Sequence, residues 1–555
     1  MLKIILNSLP FSYIRGKGCL YIDKTPYLEK LIKSDSTAFF LSRPRRFGKS
    51  LLISTLESVF NGEADLFDGL RLNRSNYDFS AYPTLAFDLS SCPSDTPSRL
   101  EYTIYNQIVK QAKNKFDITV NDVKEYPATV LTKLTKALKK ATGQPTVILV
   151  DEYDAPIIAQ TDDIPAARLN IKVLHGFYSA IKALNQKGFI RFAFITGVSK
   201  FSMTSIFSGA NDFIDISENE EFANICGITR DEFEANLTTP LTEIFTEGLF
   251  ASSGYPDFTS FRDALISMYD GYSWNGVDRV FNPYSLLRAI SALKLDRYWY
   301  ASGTPSFLVK FIKSEPTEAL KFDNITMSKD SLNAQIVENL SLTPLLYQTG
   351  YLTLTSPLSG DSYDLKMPNL EVRKAYESFA ISTVLADKLG NLSDFAFLLI
   401  KAFDEPNAAA LKDLLTKIVR NLPLTPSELN ERTFHLALCV ILNVVGINKI
   451  DSERIVEYMV DAELKPGRLD LFFKLNKDRK GILIELKCLK FDQTKSEDAI
   501  NKSFGTLLSN GEKQMEKYYP QLLEEVEEVQ GFSMVVSWGR GVEVKIGEKR
   551  VREPK

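Results

Sequence analysis

The sequence predicts an α/β protein whose N-terminal part is a parallel β-sheet covered by helices on both faces. From residue 39 to about residue 217, short apolar segments alternate with amphipathic helical segments, as in parallel strands joined by helices. Two of the apolar segments also end in polar residues of the types that bind phosphate and metal ions. The candidate strands are Ala38–Leu41, Thr84–Leu89, Val147–Val150, Ile190–Thr196 and Phe213–Ile216.

The segment after the first strand has the composition of a phosphate-binding P-loop. Backbone N–H groups of such a loop, and of the helix that follows it, point at a phosphate. We expect Lys49 to reach the β- and γ-phosphates and the Ser50 hydroxyl to bind Mg²⁺. Arg43 stands where the usual G-x-x-x-x-G-K-S pattern has its first glycine. The predicted nucleotide-binding residues are Arg43, Pro44, Arg45, Arg46, Phe47, Gly48, Lys49, Ser50 and Leu51.

A Gly-Lys-Ser sequence alone is a weak signal, because a basic turn that caps a buried strand has the same residues. A second signal strengthens it. The segment Thr146–Val150 is uncharged and rich in β-branched residues, as a strand buried on both faces should be, and it ends in Asp151 and Glu152. We expect Asp151 to hold Mg²⁺ and Glu152 to polarise the attacking water. Together these elements predict an NTP-binding site, with hydrolysis as the further hypothesis.

The order of the strands favours the additional-strand class of P-loop NTPases over the kinase-like class. Along the sequence, one further strand, residues 84–89, comes between the two strands that carry these motifs, and Glu152 follows Asp151 directly. The strand at residues 190–196 ends in a polar segment, where Thr196 and Ser199 are candidates for positioning the attacking water. An N-cap for the next segment is an equal alternative for both residues.

Length and composition point to several domains in a reducing compartment. A chain of 555 residues is too long for one core, and 44% hydrophobic with 25% charged residues is ordinary for a globular protein. The net charge of −4 means that nucleic-acid binding would need a local basic surface. Five cysteines without a C-x-x-C pair and only two histidines argue against a disulfide framework and a zinc site.

The pattern divides the chain into four predicted domains. Residues 1–226 form the P-loop domain, and residues 227–370 form a helical lid with a winged-helix module near residues 345–368. Residues 371–430 form a helical connector, and residues 431–555 form a C-terminal α/β domain. No signal peptide and no membrane-spanning segment is recognisable, so we expect a cytoplasmic protein without a membrane partner.

The C-terminal domain carries a second set of candidate catalytic residues. Segments 467–473 and 481–487 read as adjacent strands, and Glu485 and Lys487 share one face of the second because they lie two residues apart. Asp470 on the neighbouring strand could meet them. Two carboxylates can hold Mg²⁺, while a nearby lysine stabilises charge on a phosphodiester. Asp, spacer, Glu-x-Lys is the pattern of PD-(D/E)XK nucleases; a hairpin with an exposed salt-bridged edge is the alternative.

Three further residues could complete such a centre. Glu431, on the helix that leads to this domain, could supply another acid. Gln514 and Lys517 lie on an amphipathic segment where the nuclease fold often has a supporting helix.

The chain resembles the AAA-ATPase-like family of prokaryotic proteins, which also lacks the first P-loop glycine. The resemblance implies an ATPase joined to a PD-(D/E)XK nuclease-like domain, with Asp470, Glu485 and Lys487 as its acidic and basic residues. The segments that carry it are Tyr21–Thr25, Arg43–Ser50, Val150–Pro156, Ile195–Lys200, Phe281–Leu287, Gly303–Leu308, Gln348–Leu352, Gly467–Asp470 and Glu485–Lys487.

The sequence therefore supports two functional hypotheses. In the first, a domain that binds ATP and Mg²⁺ controls a Mg²⁺-dependent nuclease that acts on nucleic acid, most simply DNA, in defence or mobile-element control. In the second, the same domain switches an interaction or nucleic-acid-binding protein without nuclease activity. The Asp-Glu pair and the extra strand disfavour a metabolic kinase. Both hypotheses leave a homo-oligomer open.

Overall fold

The computed structural model of the chain divides into two compact units. The first contains Met1–Leu308 and Phe322–Ala375, and the second contains Val309–Lys321 and Tyr376–Lys555. The four predicted domains are a finer division and remain a prediction. The structure describes residues 3–4, 9–120, 126–200, 212–246, 255, 257–301, 306–319, 325–333, 341–356, 362–444, 447, 450–452, 455–460, 463–475, 479–490, 492, 494 and 496–552.

The first unit contains the predicted five-stranded parallel sheet, in the order β2-β3-β4-β1-β5. Strand β4 lies between β1 and β3, which is the arrangement that defines the additional-strand class. The central strands β1 and β3 are buried along their whole length, in agreement with their uncharged sequences. The strands are β1 (Ala38–Ser42), β2 (Thr84–Asp88), β3 (Thr146–Asp151), β4 (Ile190–Gly197) and β5 (Ile214–Asp215).

Helices cover both faces of this sheet. The step from β1 to β2 crosses the sheet in the opposite direction to the steps from β2 to β3 and from β3 to β4. Because such crossovers are right-handed, α3 covers one face and the group of α5, α6 and α8 covers the other. The helices are α1 (Phe11–Gly16), α2 (Thr25–Lys33), α3 (Lys49–Phe60), α4 (Arg71–Arg74), α5 (Pro97–Phe116), α6 (Pro127–Thr142), α7 (Ala155–Ile158) and α8 (Ile164–Gln186).

After the sheet, the first unit is mainly helical, as predicted. Two short strands, β6 (Ile228–Thr229) and β7 (Val280–Phe281), pair in antiparallel fashion. The helices are α9 (Arg230–Thr246), α10 (Phe258–Tyr269), α11 (Pro283–Ala292), α12 (Tyr298–Ala301) and α13 (Ser306–Ser314), of which the last continues into the second unit. The next helix, α14 (Pro316–Ala319), belongs to the second unit.

The region of the predicted winged helix contains a small antiparallel sheet in the order β8-β10-β9. Two helices precede the β9–β10 pair, which is the order of elements in a winged helix, but the module begins earlier than predicted. All residues of the second helix are buried, so it does not present a surface to DNA. The elements are β8 (Ile325–Ser328), α15 (Lys329–Asn333), α16 (Leu342–Thr349), β9 (Thr353–Leu354) and β10 (Ser362–Lys366).

The second unit is a helical segment followed by an α/β sheet. The sheet has the order β11-β14-β15-β16-β17, with β15 and β16 parallel and its other pairs antiparallel. The helices are α17 (Leu370–Leu389), which begins in the first unit, α18 (Leu392–Asp404), α19 (Ala408–Asn421), α20 (Glu431–Val444), α21 (Glu497–Met515) and α22 (Tyr519–Leu522). The strands are β11 (Ile450–Ser452), β12 (Ile455–Val460), β13 (Glu463–Arg468), β14 (Leu471–Leu475), β15 (Lys480–Leu489), β16 (Glu528–Ser537) and β17 (Gly541–Val551).

One predicted strand is in fact two. The segment 467–473 was expected to be continuous, but β13 ends at Arg468 and β14 begins at Leu471. The reason is that β13 pairs with β12, whereas β14 pairs with β15 in the larger sheet. Asp470 therefore lies in the break between two sheets. Among the described residues, no helix is both long and apolar enough to cross a membrane.

Candidate functional site

The predicted P-loop connects the end of β1 to the start of α3. Lys49 is the first residue of the helix, and its side chain is 3% exposed. Its ammonium lies 3.2 Å from the Pro44 carbonyl oxygen and 3.3 Å from Glu152 Oε1. Leu51 is the third helical residue, so its N–H is one of the first-turn donors that have no partner within the helix.

The backbone of the loop turns back on itself before the helix. Arg46 has φ +68° and Gly48 has φ +95°, both in the left-handed region. A Cβ atom on Gly48 would meet open space, so the glycine is required by its φ and not by a close neighbour. Left-handed residues of this kind bring successive N–H groups together into an anion-binding concavity.

The ends of β3 and β4 bring three more predicted residues, Asp151, Glu152 and Thr196, to the loop. The Thr196 hydroxyl donates a hydrogen bond of 2.6 Å to Asp151 Oδ1, and the nearby Ser50 hydroxyl also lowers the pKa of this carboxylate. Burial raises the pKa of Asp151, while these two hydroxyls act in the opposite direction. Glu152 follows with φ +52°, a conformation unusual for a residue with a side chain, and its carboxylate faces Lys49. Lys49, Ser50, Asp151, Glu152 and Thr196 thus form one cluster.

Hard oxygen ligands are what Mg²⁺ requires, and this cluster supplies them. A serine hydroxyl and a carboxylate lie side by side beneath the loop, and phosphate oxygens and waters would complete an octahedral set. Within the described part of the chain, no group of three or more His, Cys, Asp or Glu residues could hold a metal by itself. The donor set therefore fits a magnesium ion that arrives with a nucleotide.

Arg43 occupies the position of the missing glycine, and its side chain is directed into the protein. The guanidinium is completely buried and donates to the carbonyl oxygens of Ser42 (2.9 Å), Ser217 (2.7 Å) and Phe222 (3.2 Å). It also lies 4.2 Å from the ring centroid of Trp274. Arg43 therefore supports the loop from behind, with its guanidinium bonded to carbonyl oxygens of the protein.

Aromatic side chains from distant parts of the first unit brace the rest of the loop. Phe47 is buried and packs edge-to-face on Tyr272 and Trp274, with distances of 4.7 Å and 5.2 Å between the ring centroids. The indole N–H of Trp299 donates to the Arg45 carbonyl oxygen at 3.1 Å. The exposed Arg46 guanidinium lies 4.8 Å from the ring of Tyr284. Nothing in the local motif indicates these partners.

Pro44 lies against the end of α16, a helix of the winged-helix-like module. A Cβ atom on Gly350 would lie 2.7 Å from Pro44 Cβ, so only glycine allows this approach. In this way α16 packs directly behind the P-loop.

Asp154 lies next to the candidate site and is a residue that the sequence analysis did not single out. Its buried carboxylate accepts hydrogen bonds from the N–H groups of Val198 (3.2 Å) and Ser199 (2.7 Å) and from the Ser199 hydroxyl (2.6 Å). Gly197 allows the approach, because a Cβ there would lie 2.6 Å from Asp154 Oδ1. Burial raises the pKa of Asp154 to about 6. Ser199 is thus bonded to Asp154, whereas Thr196 faces Asp151.

The second predicted centre, in the C-terminal unit, also converges. Lys487 Nζ lies 3.5 Å from Glu485 Oε2 and 3.7 Å from Asp470 Oδ2. Asp470 Oδ2 accepts a hydrogen bond of 2.7 Å from the N–H of Leu486, which fixes the aspartate against β15. The alternative of a hairpin with an exposed salt-bridged edge does not fit, because Glu485 is completely buried.

Glu485 has a strongly raised pKa. Burial is the largest cause that raises its pKa, to about 9, and the neighbouring Asp470 adds to the shift, while Lys487 opposes it. The buried Oε1 atom of Glu485 has no hydrogen-bond partner among the described residues. A carboxylate pair with an unsatisfied buried oxygen suits a divalent cation, and Asp470 and Glu485 are the residues that would hold it.

Neighbouring elements support the centre. Glu431 at the start of α20 accepts a hydrogen bond of 3.0 Å from the N–H of Cys488, next to Lys487. Gln514 on α21 donates to the hydroxyl of Tyr518 at 3.1 Å. Gly511 lets α21 approach β16 closely, since a Cβ there would lie 2.2 Å from Ser533 Oγ, and the same Cβ would be in ordinary contact with Glu485 on β15.

Comparisons with known proteins agree with the N-terminal motifs. A model of the AAA-ATPase-like family, described as predicted AAA-ATPase, matches residues 8–207. An uncharacterized protein in the vnfD 5′ region of Azotobacter chroococcum mcd 1 is 30% identical over 432 residues, which are 76% of this chain and 78% of that protein.

A solved structure, that of the Aeropyrum pernix ORC2 protein in ADPNP–ADP complexes, aligns with 65% of this chain and 92% of its own, at 12% identity and a TM-score of 0.23. A TM-score this low does not establish a shared fold. The family model does not extend to the C-terminal centre. With a matching family model, a relative of this extent and the loop geometry described above, the chain belongs to the AAA-ATPase-like family of predicted P-loop ATPases.

Proposed function

We propose that the first unit binds ATP with Mg²⁺ and hydrolyses it. The observation that carries this proposal is the cluster of Lys49, Ser50, Asp151, Glu152 and Thr196 at the carboxyl ends of β1, β3 and β4. Lys49 would exchange its contact with Glu152 for the β- and γ-phosphates, and Ser50 and Asp151 would hold the ion. Glu152 would then orient and polarise the water that attacks the γ-phosphorus.

Glu152→Gln tests hydrolysis separately from binding. The amide keeps the shape of the side chain but cannot polarise water, so turnover should fall about 10²–10⁴-fold while ATP still binds. Phosphate release and equilibrium binding of ATP with Mg²⁺ are measured on one preparation. Glu234→Gln, a change at an exposed site, is the matched control. Wild-type turnover in Glu152→Gln would contradict the role of Glu152.

For the second unit, we propose a metal-dependent phosphodiesterase acting on nucleic acid. The support is the convergence of Asp470, just before β14, with Glu485 and Lys487 on the paired strand β15; helix α21 follows β15 and precedes the parallel strand β16. Asp470 and Glu485 would hold Mg²⁺. Lys487 would stabilise the negative charge that develops on the phosphodiester as water adds to phosphorus and an ester P–O bond breaks.

Lys487→Ala tests this second activity. It should abolish cleavage of a labelled DNA or RNA substrate in Mg²⁺, and it should leave ATP turnover unchanged. Lys401→Ala, at an exposed position in the same unit, is the matched control. Equal cleavage by the two variants would exclude Lys487 from the centre.

The alternative is a nucleotide-switched protein that binds a partner without cutting it. It is favoured if the wild type turns ATP over and binds nucleic acid, but shows no metal-dependent cleavage under any condition that supports ATP turnover. If the second unit is a nuclease, we propose that ATP binding in the first unit controls it. Measuring cleavage with ATP, with ADP and without nucleotide tests this control.

A further inference from the structure

The helices that cover one face of the N-terminal sheet are unusually basic for a chain of net charge −4. Helices α5 and α6 contain four Lys and Arg residues each and α8 contains three, while Glu101 is the single acidic residue within the three helices. Described acids next to these helices lie at helix ends, for example Asp117 at the end of α5 and Asp163 at the start of α8. The positive charge is therefore concentrated on the helical surfaces themselves.

On each helix the cations are spaced so that they share one side. Lys133, Lys136 and Lys140 on α6 lie at positions i, i+3 and i+7, and all three are exposed. The opposite side of α6 is apolar and buried. The corresponding cations on the other helices are Arg99, Lys110 and Lys113 on α5, and Arg168, Lys172 and Lys182 on α8, with the uncharged Tyr102 and His175 on the same sides.

The three stripes belong to one continuous surface. Helices α5, α6 and α8 pack against one another, and each also contacts the sheet, through β2, β3 and β4 respectively. This face of the sheet is opposite to α3, so the basic surface is separate from the P-loop helix. Two ion pairs of α5, Arg99–Asp95 at 2.8 Å and Lys113–Asp117, are solvent-exposed, so they compete little with a strong anion. Exposed pairs of this kind contribute little.

Two exposed aromatic side chains lie on this basic surface. Tyr102 on α5 is 60% exposed, and Tyr126, just before α6, is 69% exposed. Exposed aromatic rings among lysines are typical of surfaces that bind nucleic acid, where rings contact bases or sugars and cations contact phosphates. A lipid surface would instead require an apolar helix face that can enter the membrane, and the apolar faces of α5, α6 and α8 are already buried on the sheet.

We propose that the surface formed by α5, α6 and α8 is a sequence-independent binding site for the phosphate backbone of nucleic acid. The choice of nucleic acid over an anionic membrane as the ligand of this surface rests in part on the proposed function of the second unit. The binding itself does not require a nuclease, since the surface lies in the first unit. The buried α16 of the winged-helix-like module offers no comparable surface.

The test removes four exposed cations and measures binding to a short labelled DNA duplex of mixed sequence. The variant is Lys110→Gln, Lys136→Gln, Lys140→Gln and Lys172→Gln in the full-length chain. Glutamine keeps good helix propensity, so folding is preserved. Fluorescence anisotropy is recorded over a salt series in EDTA, so that a metal-dependent centre cannot cut the probe. The control replaces the exposed residues Lys17, Lys30, Lys33 and Lys294 with glutamine, which gives the same change in net charge.

The expected result is a large and specific loss of affinity. Each lost phosphate contact should reduce the slope of log K against log [salt] by about 0.9, and four together should weaken binding at least about tenfold at moderate salt. Thermal unfolding and ATP binding should match those of the wild type, and the control should bind DNA normally. Tyr102→Ala with Tyr126→Ala should weaken binding without changing the salt slope.

Three results would overturn the proposal. One is equal affinity and salt slope in the quadruple variant and the control. Another is no measurable binding of DNA or RNA by the wild type. The third is wild-type binding to phosphatidylserine vesicles, lost in the quadruple variant, together with no binding to nucleic acid; this would make the surface a membrane site. A failed cleavage assay with intact DNA binding would contradict only the nuclease proposal.

Discussion

The P-loop centre and the C-terminal centre both combine carboxylates with a lysine, but they are held in different ways. At the P-loop, a continuous loop and helix supply Lys49, and side chains from far along the chain, such as Trp274 and Trp299, brace the loop. In the C-terminal unit, Asp470 and Glu485 meet because two adjacent strands pair in a given register, Leu471 opposite Ile484. The first centre thus depends on distant packing, and the second on the alignment of one pair of strands.

This difference has an electrostatic counterpart. Both lysines are close to carboxylates, but the most buried carboxylate of the C-terminal centre, Glu485, has its pKa raised to about 9. At the P-loop, burial also raises the pKa of Asp151, but the hydroxyls of Ser50 and Thr196 oppose this shift. The C-terminal centre therefore has the greater need of a cation, and it should be the more sensitive of the two to removal of metal.

The largest effect should come from breaking the C-terminal centre alone. Asp470→Asn removes one of two candidate metal ligands but keeps the size of the side chain. Cleavage should fall below detection, because a single remaining carboxylate cannot hold Mg²⁺ in place. Turnover of ATP, measured on the same sample, should stay within about twofold of the wild type, since it depends on groups in the other unit.

Asp492→Asn, at another position in the C-terminal unit, serves as its control. Loss of ATP turnover in Asp470→Asn would contradict the separation of the two centres.

The next largest effect should come from the P-loop lysine. Lys49→Ala removes the one cation that the loop directs at the site, so affinity for ATP with Mg²⁺ should fall at least about 100-fold. Calorimetric titration provides the measurement, with Lys17→Ala at an exposed position as control. Unchanged affinity would mean that Arg45 and Arg46 hold the phosphates, or that the nucleotide binds elsewhere.

The sequence predicted the two centres unequally, for reasons that particular residues make clear. The strands of the first sheet were predicted nearly to the residue, because each is a short apolar run bounded by polar segments. The period of two residues along one strand predicted that Glu485 and Lys487 share a face, and the expected pairing with a neighbouring strand predicted that Asp470 meets them. The end of β13 at Arg468 did not, because the pattern cannot tell that β13 pairs with β12 in a separate sheet.

Supporting contacts were beyond prediction because they join residues far apart in the chain. Asp154 lies in a recognisable motif, yet its role depends on two N–H groups 44 and 45 residues away. From its place in the loop, Arg43 was predicted to bind the nucleotide. Only the surrounding carbonyl groups and Trp274 explain why it points inward.

Arg43→Gly tests the dependence of the P-loop on distant packing. The substitution restores the usual P-loop glycine, but it removes a buried guanidinium that donates to several carbonyl oxygens. We expect the first unit to lose about 3–5 kcal/mol of stability, because those carbonyls are left without donors and a cavity forms. ATP affinity should fall as well.

Urea unfolding, followed by tryptophan fluorescence in a Trp538→Phe background, reports on Trp274 and Trp299 in the first unit. Arg45→Gly, in the same loop but exposed, should be much milder. Equal stability of the two variants would show that the buried contacts of Arg43 contribute nothing.

The smallest effect concerns a buried carboxylate behind the P-loop. Glu371 is completely buried and accepts a hydrogen bond of 2.7 Å from the N–H of Trp299, the residue whose indole contacts Arg45. Burial raises the pKa of Glu371 from 4.5 to about 7. Between these values the folded state keeps a proton that the unfolded state has lost. The free energy of unfolding should therefore fall as pH rises through this range, by up to about 1.4 kcal/mol per pH unit.

Glu371→Gln should remove this contribution, because the amide does not titrate. In the Trp538→Phe background, the variant should gain stability relative to the wild type as the pH rises from about 5 to about 7. Glu405→Gln, at an exposed position, should leave the dependence of stability on pH as it is in the wild type. If Glu371→Gln and the wild type show the same pH dependence, Glu371 is ionised in the folded protein. The support that Trp299 gives to the P-loop would then include a buried negative charge.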